Sequence, residues 1–386
     1  MVQKKIGVGM VGTGFMCKAH SNAYKTIPYM FQPEYEIALA EIGGTSDGSA
    51  SAGAKRYGFE KSSIGWKELI NNPDVSLVDV CTPDHFHIQP VLDAIEKGKH
   101  VLCEKPIALN AEDAAKMLKA AKKAGVVHAS SFNYRFMAPV RLAYEMIRQG
   151  VIGTIYHMYV HYFQEGGANP ENLYENTWYA RPPHSGILQG IGTHAIDQAR
   201  FLAGEIATVT GIASIDVKQR PGQEGGKKTV KIEDSARALV EFESGATGVI
   251  ECSAMAWGRR NQLYWEIYGS KGSLIFDLEE PNYLKVYLAE WNGKSASGFM
   301  NINVNLPGHP FTDIWWPGGH NTGWEHGHIN MIAHLLSCIN SGEKVEPLGA
   351  TFEDGFKSAA MVDAIRLSSK EERRIDFKKL TDSLLR

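Results

Sequence analysis

With 386 residues the chain is too long for one small core, so two domains are expected. Its make-up, 44% hydrophobic and 22% charged, is that of a soluble globular protein. A net charge of −3 offers no electrostatic case for nucleic acid or an anionic membrane. No apolar stretch approaches the roughly 20 residues that span a bilayer, and Met1-Val2-Gln3-Lys4-Lys5-Ile6 runs into a buried-strand pattern rather than a secretory signal. The cysteines (Cys17, Cys81, Cys103, Cys252, Cys338) are scattered and odd in number, which suits a reducing cytoplasm rather than a disulfide framework.

In chain order, Ile6 to Val11 is a short apolar run of β type. Gly12-Thr13-Gly14-Phe15-Met16-Cys17 follows, with a helical stretch from Met16 towards Thr26. Strand, glycine turn and helix N-terminus together make a pyrophosphate site of the Rossmann kind. Gly12 permits the turn, Gly14 lets backbone approach the phosphates, and Cys17 is a small residue where the fingerprint has its third glycine. The ribose-binding acid is expected at the end of the second strand. Counting back from Arg56-Tyr57-Gly58-Phe59 puts Gly44 there, with Thr45 and Ser46 behind it. Small hydroxyls suit a 2′-phosphate, whereas Asp47 or Glu41 reaching the ribose would favour NAD, so NAD and NADP both stay open. Val75 to Cys81 reads as a buried strand ending in Thr82-Pro83-Asp84, followed by a helix from about His85 to Lys97 and a strand at His100-Val101-Leu102. Glu104-Lys105-Pro106 then puts a carboxylate and an amine at the carboxyl edge of the sheet, where ligands bind in open α/β folds. A lysine there, beside a nicotinamide, is placed to move a proton while the cofactor moves a hydride. Ala111 to Ala124 is a further helix and Val126 to Phe132 a sixth strand. Such alternation means a mostly parallel, doubly wound sheet.

From about Asn133 the pattern changes. Phe136 to Gln149 reads as a linking helix and Tyr156 to Phe163 as a strand. Ala236 to Phe242 and Thr247 to Cys252, split by Glu243-Ser244-Gly245, signal a hairpin. Tyr264 to Tyr268 and Ser273 to Phe276, split by Gly269-Ser270-Lys271-Gly272, signal another. Strands without intervening helices imply an antiparallel sheet, one face on its own helices and the other free for substrate or another subunit. Pro221 to Lys228 reads as a surface loop, and Phe352 to Ser368 as a late helix expected to pack back between the domains. The segment from Trp315 to His328 is rich in aromatics and histidines. Rings stack on sugar faces and imidazoles bond hydroxyls, so His320, Trp324 and His326 form a candidate substrate loop, joined by Trp178 and His184. His320, His326 and His328 lack ligand spacing that would support a metal.

Taken together, Val11-Gly12-Thr13-Gly14-Phe15-Met16 with Ala19-His20, Cys81-Thr82-Pro83-Asp84-His85-Phe86-His87, Glu104-Lys105-Pro106, Phe132-Asn133-Tyr134-Arg135 and Gly192-Thr193-His194-Ala195-Ile196-Asp197 resemble the Gfo/Idh/MocA oxidoreductase family over nearly the whole chain. The resemblance implies α/β plus α+β architecture: an N-terminal Rossmann NAD(P)-binding domain over 1–132, then an α+β substrate and oligomerisation domain over 133–386. The latter would carry a large, mostly antiparallel open sheet that commonly mediates dimers or tetramers. It also implies that Lys105 is the catalytic lysine, Glu104 a neighbour of the nicotinamide ribose, and His194 the contact of the reacting hydroxyl. Thr82, Pro83, Asp84, His87, Asn133 and Arg135 would lie along the cofactor. Asp84 replaces the family's asparagine, and Gly190 stands where many members carry an aspartate four residues before the histidine. A substrate held near Gly190 would then take a different orientation, or another group would supply the carboxylate.

The expected activity is NAD(P)-dependent oxidation or reduction of a ring hydroxyl of a sugar, anhydrosugar or inositol, with Lys105 and His194 sharing the proton. One alternative is a redox-neutral hydrolase or lyase that oxidises C3 transiently and breaks a glycosidic bond. Another is a sugar sensor that binds cofactor without catalysis.

Overall fold

The computed structural model describes residues 4–177, 186–295 and 297–386. It divides into two compact units, 1–136 with 323–357, and 137–322 with 358–386. Residues 323–357 thus join the first unit rather than the second, a departure from a single cut at residue 132. The first unit alternates β1 (Lys5–Val11), α1 (Phe15–Met30), β2 (Glu36–Gly44), α2 (Asp47–Tyr57), β3 (Lys61–Ile64), α3 (Lys67–Asn71), β4 (Leu77–Val80), α4 (Ile88–Glu96), β5 (His100–Cys103), α5 (Ala111–Ala124) and β6 (His128–Ser130). Its six strands pair in parallel in the order β3-β2-β1-β4-β5-β6. Strands buried on both faces read as short apolar runs, as Leu77-Val78 and Val101-Leu102 do. The helix boundaries are set locally. Asn110 accepts from the Asp113 N–H and starts α5, and left-handed Gly125 ends it.

The second unit holds α6 (Ala138–Arg148), β7 (Ile155–Phe163), α7 (Thr193–Ala203), β8 (Ile206–Ser214), β9 (Gln219–Pro221), β10 (Lys227–Thr229), β11 (Ser235–Phe242), β12 (Thr247–Ser253), β13 (Gln262–Gly269), β14 (Gly272–Asp277), β15 (Tyr283–Leu288) and β16 (Met300–Asn303). Next come α8 (Trp324–Ser341) in the first unit and α9 (Phe352–Glu371), within which the unit boundary falls, then β17 (Ile375–Asp376) and α10 (Phe377–Leu385). Nine strands form one sheet in the order β16-β15-β14-β13-β7-β12-β11-β8-β17; only β7 and β12 pair in parallel. Both expected hairpins form, β11 with β12 and β13 with β14. The stretch read as a plain loop, Pro221 to Lys228, is the tip of a small β9–β10 hairpin. Behind it Arg220, fully buried, donates to the carbonyls of Asn169 (2.8 Å) and Gly167 (2.6 Å).

One sheet face carries α6 and α7, and alternation along β11 shows the other open, with Arg237, Leu239 and Glu241 outward. On the covered face Trp265 is fully buried, 5.6 Å from the Phe276 ring, with its indole N–H 3.2 Å from Gln198 Oε1. Replacing it leaves a large cavity and strips a buried amide of its donor. Trp265→Ala should lower unfolding stability by about 3–5 kcal/mol, read from urea denaturation followed by circular dichroism.

Candidate active site

In the first unit β1 stops at Val11 because Gly12 turns the chain at φ +111°, where a Cβ would also sit 2.9 Å from the Cys81 carbonyl oxygen. Gly14 then caps α1, and a Cβ there would meet nothing within 4 Å. That opening, faced by a helix N-terminus, is the shape a pyrophosphate requires. Phe15 and Met16 begin α1, and Phe15 (68% exposed) stacks on Trp324 at 5.6 Å and 18°. Two further polar atoms have bonding capacity to spare. Thr82 Oγ1 and Asn133 Nδ2 are buried with no hydrogen-bond partner among the described residues. The chain's own groups thus fit a dinucleotide.

At the ribose end, Gly44 closes β2, and a Cβ there would lie 2.7 Å from the Ala50 amide nitrogen. An acid is therefore excluded at Gly44 by the first turn of α2. Thr45 and Ser46 are exposed, and Ser46 exchanges capping hydrogen bonds with Ser49. Glu41 is buried and accepts from Asn72 Nδ2 at 2.8 Å, which turns it away from a ribose; Asp47, at the start of α2, is exposed.

The strand ends meet over a buried charge cluster. His20 on α1 has Nδ1 2.9 Å from Asp79 Oδ2 and Nε2 3.0 Å from Glu104 Oε1. Tyr24 donates to Asp79 at 2.9 Å, and Lys105 N–H donates to Glu104 Oε2 at 3.1 Å. Burial opposes charge on His20, yet the flanking Asp79 and Glu104 raise it to about 10. Burial would raise the Glu104 carboxyl, but contact with His20 and the charges of His20, His328 and Lys105 draw it to about 2. His328 on α8, 2% exposed, is held down to about 3 by burial and by the His20 charge. Both its ring nitrogens lack a hydrogen-bond partner among the described residues, and its ring meets Trp324 edge-on at 4.5 Å. Half-buried Lys105 is lowered by desolvation, against the pull of Glu104 and Asp84.

Other expected cofactor contacts also have partners within the protein. His87 is buried, with Nδ1 2.8 Å from the Pro106 carbonyl and Nε2 2.7 Å from that of Thr82, so it braces the two site loops. Arg135 is buried and paired with Asp354 at 3.0 Å. Pro83 is exposed, and Asp84 accepts from the His85 N–H at 2.9 Å. His326 Nδ1 accepts from Gly323 N–H at 3.0 Å and so serves the start of α8.

In the second unit His194 is a buried residue of α7, its ring 5.8 Å from Tyr162. Gly190 lies in a π-helical turn, Leu188–Gly192, immediately before α7. Such turns often mark functional positions. Glu233 Oε1 receives the Leu188 N–H at 3.3 Å and is itself gripped by Arg366 at 2.6 Å. His320 is exposed, with Nδ1 2.6 Å from the Pro317 carbonyl. Trp178 and His184 lie outside the described residues. The supposed single substrate loop is divided, 315–322 in the second unit and 323–328 in the first.

Residues 6–132 match the oxidoreductase family with an NAD-binding Rossmann fold, and residues 140–275 match the GFO/IDH/MocA C-terminal domain. The chain belongs to the Gfo/Idh/MocA family and is an NAD-binding oxidoreductase of the sugar-dehydrogenase kind. It is 34% identical to levoglucosan dehydrogenase of Pseudarthrobacter phenanthrenivorans, over 98% of this chain and 100% of that one. It is 35% identical to 2,7-anhydro-N-acetylneuraminate hydratase of Escherichia coli, over 81% of this chain and 84% of the other. The structure is similar to that of levoglucosan dehydrogenase in complex with NADH and levoglucosan, with a TM-score of 0.91 at 34% identity, covering 97% and 99% of the two chains.

Sequence pattern left Asp79 and Tyr24 without a role, His20 only as part of a motif, and His328 only as the end of the aromatic segment. Asp79 was the available signal: an acid inside the four-residue buried run Leu77–Val80 demands a partner. The charges predict a pH dependence. His20 is raised above its unfolded value near 6.5, so its stabilisation is complete below that pH and lost as pH rises through about 10. The stability gap between the wild type and His20→Gln should therefore shrink from pH 6.5 towards 10, as read by denaturant titrations across that range.

Proposed function

We propose that the protein oxidises or reduces a ring hydroxyl of a sugar, anhydrosugar or inositol by hydride exchange with NAD(P). The observation that carries this reading is Lys105. It is desolvated at the carboxyl end of β5, beside a carboxylate, in the unit that also holds the open glycine turn. Bound NAD(P) would supply the hydride acceptor at its nicotinamide. Lys105 Nζ, its ammonium disfavoured by burial, takes the hydroxyl proton on oxidation and returns it on reduction. His194 is assigned to the same hydroxyl on its motif, Gly192 to Asp197. Thr82 Oγ1 and Asn133 Nδ2 are the unspent donors for the cofactor. At the ribose, Gly44 forbids an acid, so Thr45, Ser46 and Asp47 decide between NAD and NADP. The relative named a dehydrogenase of levoglucosan supports an anhydrosugar among the substrates.

Absorbance at 340 nm tests this, with NAD and NADP offered separately against inositols, hexoses, anhydrosugars and glycosides. A rise with one polyol is expected. Lys105→Ala should reduce turnover by at least about 10³-fold while cofactor affinity stays within a few-fold; near-normal turnover would remove the assigned role. A second reading, redox-neutral bond cleavage through a transient 3-keto sugar, is favoured by Gly190 and by the hydratase relative. It predicts glycoside cleavage with no net absorbance change.

The open face of the nine-stranded sheet supports self-association. Ile212 (66% exposed) and Leu239 (63%) stand on strands β8 and β11, with tyrosines Tyr159, Tyr264 and Tyr268 half-exposed on β7 and β13. We assign a second copy of the chain to this face. Light scattering should give a multiple of 42.6 kDa for the wild type, and Leu239→Asp should shift it to the monomer.

A further inference from the structure

Both ring nitrogens of His20 face carboxylates, Nδ1 that of Asp79 at 2.9 Å and Nε2 that of Glu104 at 3.0 Å. The Asp79 contact is a hydrogen bond and the Glu104 contact a close ion pair, and a ring set between two carboxylates is favoured as an imidazolium. The ring is fully buried, and its other neighbours are Cys81 Sγ (3.3 Å from Nδ1), Ser131 Oγ (3.4 Å from Nε2) and the His328 ring (5.5 Å between centroids). Tyr24 completes the set by donating to Asp79. The second Glu104 oxygen receives the Lys105 backbone N–H at 3.1 Å. An unbroken path therefore runs from Asp79 through His20 and Glu104 to the lysine one residue further on.

We infer that His20 is a positioning residue: its imidazolium holds the Glu104 carboxylate in one orientation, and Glu104 in turn holds the backbone that aims Lys105. The inference rests on the reading of Lys105 as the proton-handling group. Scaffolding alone does not call for such a cluster, because apolar side chains of similar volume commonly stabilise a core as well as a buried ion array does. One ligand atom each of His20, Glu104 and His328 lies within 4.8 Å of the others, close enough to gather around a cation.

Two substitutions separate positioning from mere stability. The His20→Gln amide reaches the place of Nε2 and keeps a donor for Glu104. The His20→Asn amide reaches the place of Nδ1, serves Asp79 and leaves Glu104 unheld. At saturating cofactor and polyol, His20→Asn should lose on the order of 10- to 100-fold in kcat, with KM and cofactor Kd within about threefold. His20→Gln should retain most of the wild-type kcat. Equal kcat losses in both variants, following their melting temperatures, or a wild-type kcat in His20→Asn, would overturn the role. Histidine ¹⁵N spectra of the wild-type protein, with His20 assigned by its loss in either variant, add an arm that needs no turnover. Both nitrogens should be protonated from pH 6 to 9; a neutral ring, or displacement of its proton by added Zn²⁺ at one equivalent, would overturn the inference. A wild type inert towards every polyol sinks the dehydrogenase reading, and the spectra alone then decide the state of His20.

Discussion

One cation between two anions organises the first unit. His20, Asp79 and Glu104 come from α1, β4 and the end of β5, and all three are withdrawn from water. Desolvating any one of them alone costs several kcal/mol, so each tolerates burial only while the others are in place. The consequence is mutual specification. The helix behind the glycine turn, the central strand and the site strand are locked in register by charge as well as by packing. Cofactor turn and lysine therefore sit on parts of the fold that cannot drift independently.

The same electrostatics sets the two neighbours of the lysine apart. Glu104 stays ionised through any physiological pH, and His328 stays neutral beside the imidazolium. Lys105 thus meets a permanent anion and an uncharged ring, while desolvation weakens its own hold on a proton. Desolvation thus acts on the lysine in the direction that frees its amine. For chemistry in which a single hydroxyl proton must be taken and returned, a lysine less ready to hold its own proton is the useful state.

Much of this fold is legible in the sequence, and the reasons differ by element. Parallel strands announced themselves as apolar runs closed by Gly12, Thr82 or Glu104, and α5 as an apolar stripe over Ala111 to Ala124. Both long hairpins followed from alternation across Gly-containing turns. The β9–β10 hairpin was missed because its outward Lys227-Lys228-Thr229 strand has no buried face to pattern. In the site, residue types told more than their roles did. His87, Arg135 and His326, read as ligand contacts, also have scaffold partners that the sequence did not show: backbone carbonyls, Asp354 and a helix start. Pairing across distant segments, as between Arg135 and Asp354, leaves no trace in local pattern. The division of the aromatic segment near residue 322 was hidden for the same reason, since its two parts differ in what they pack against and not in composition.

The return of residues 323–357 to the first unit bears on how the chain is made. The Rossmann strands leave the ribosome first, yet α8, whose Ile329, Ile332, Leu335 and Leu336 are buried and which packs on α1, is synthesised only after the whole nine-stranded sheet except β17. At roughly 5–20 residues per second, the nascent first unit waits with an apolar flank uncovered while the second unit is produced. The order of synthesis and the order of completion are thus reversed for the cofactor-binding half. Nascent chains stalled anywhere before residue 357 should be the species that chaperones hold.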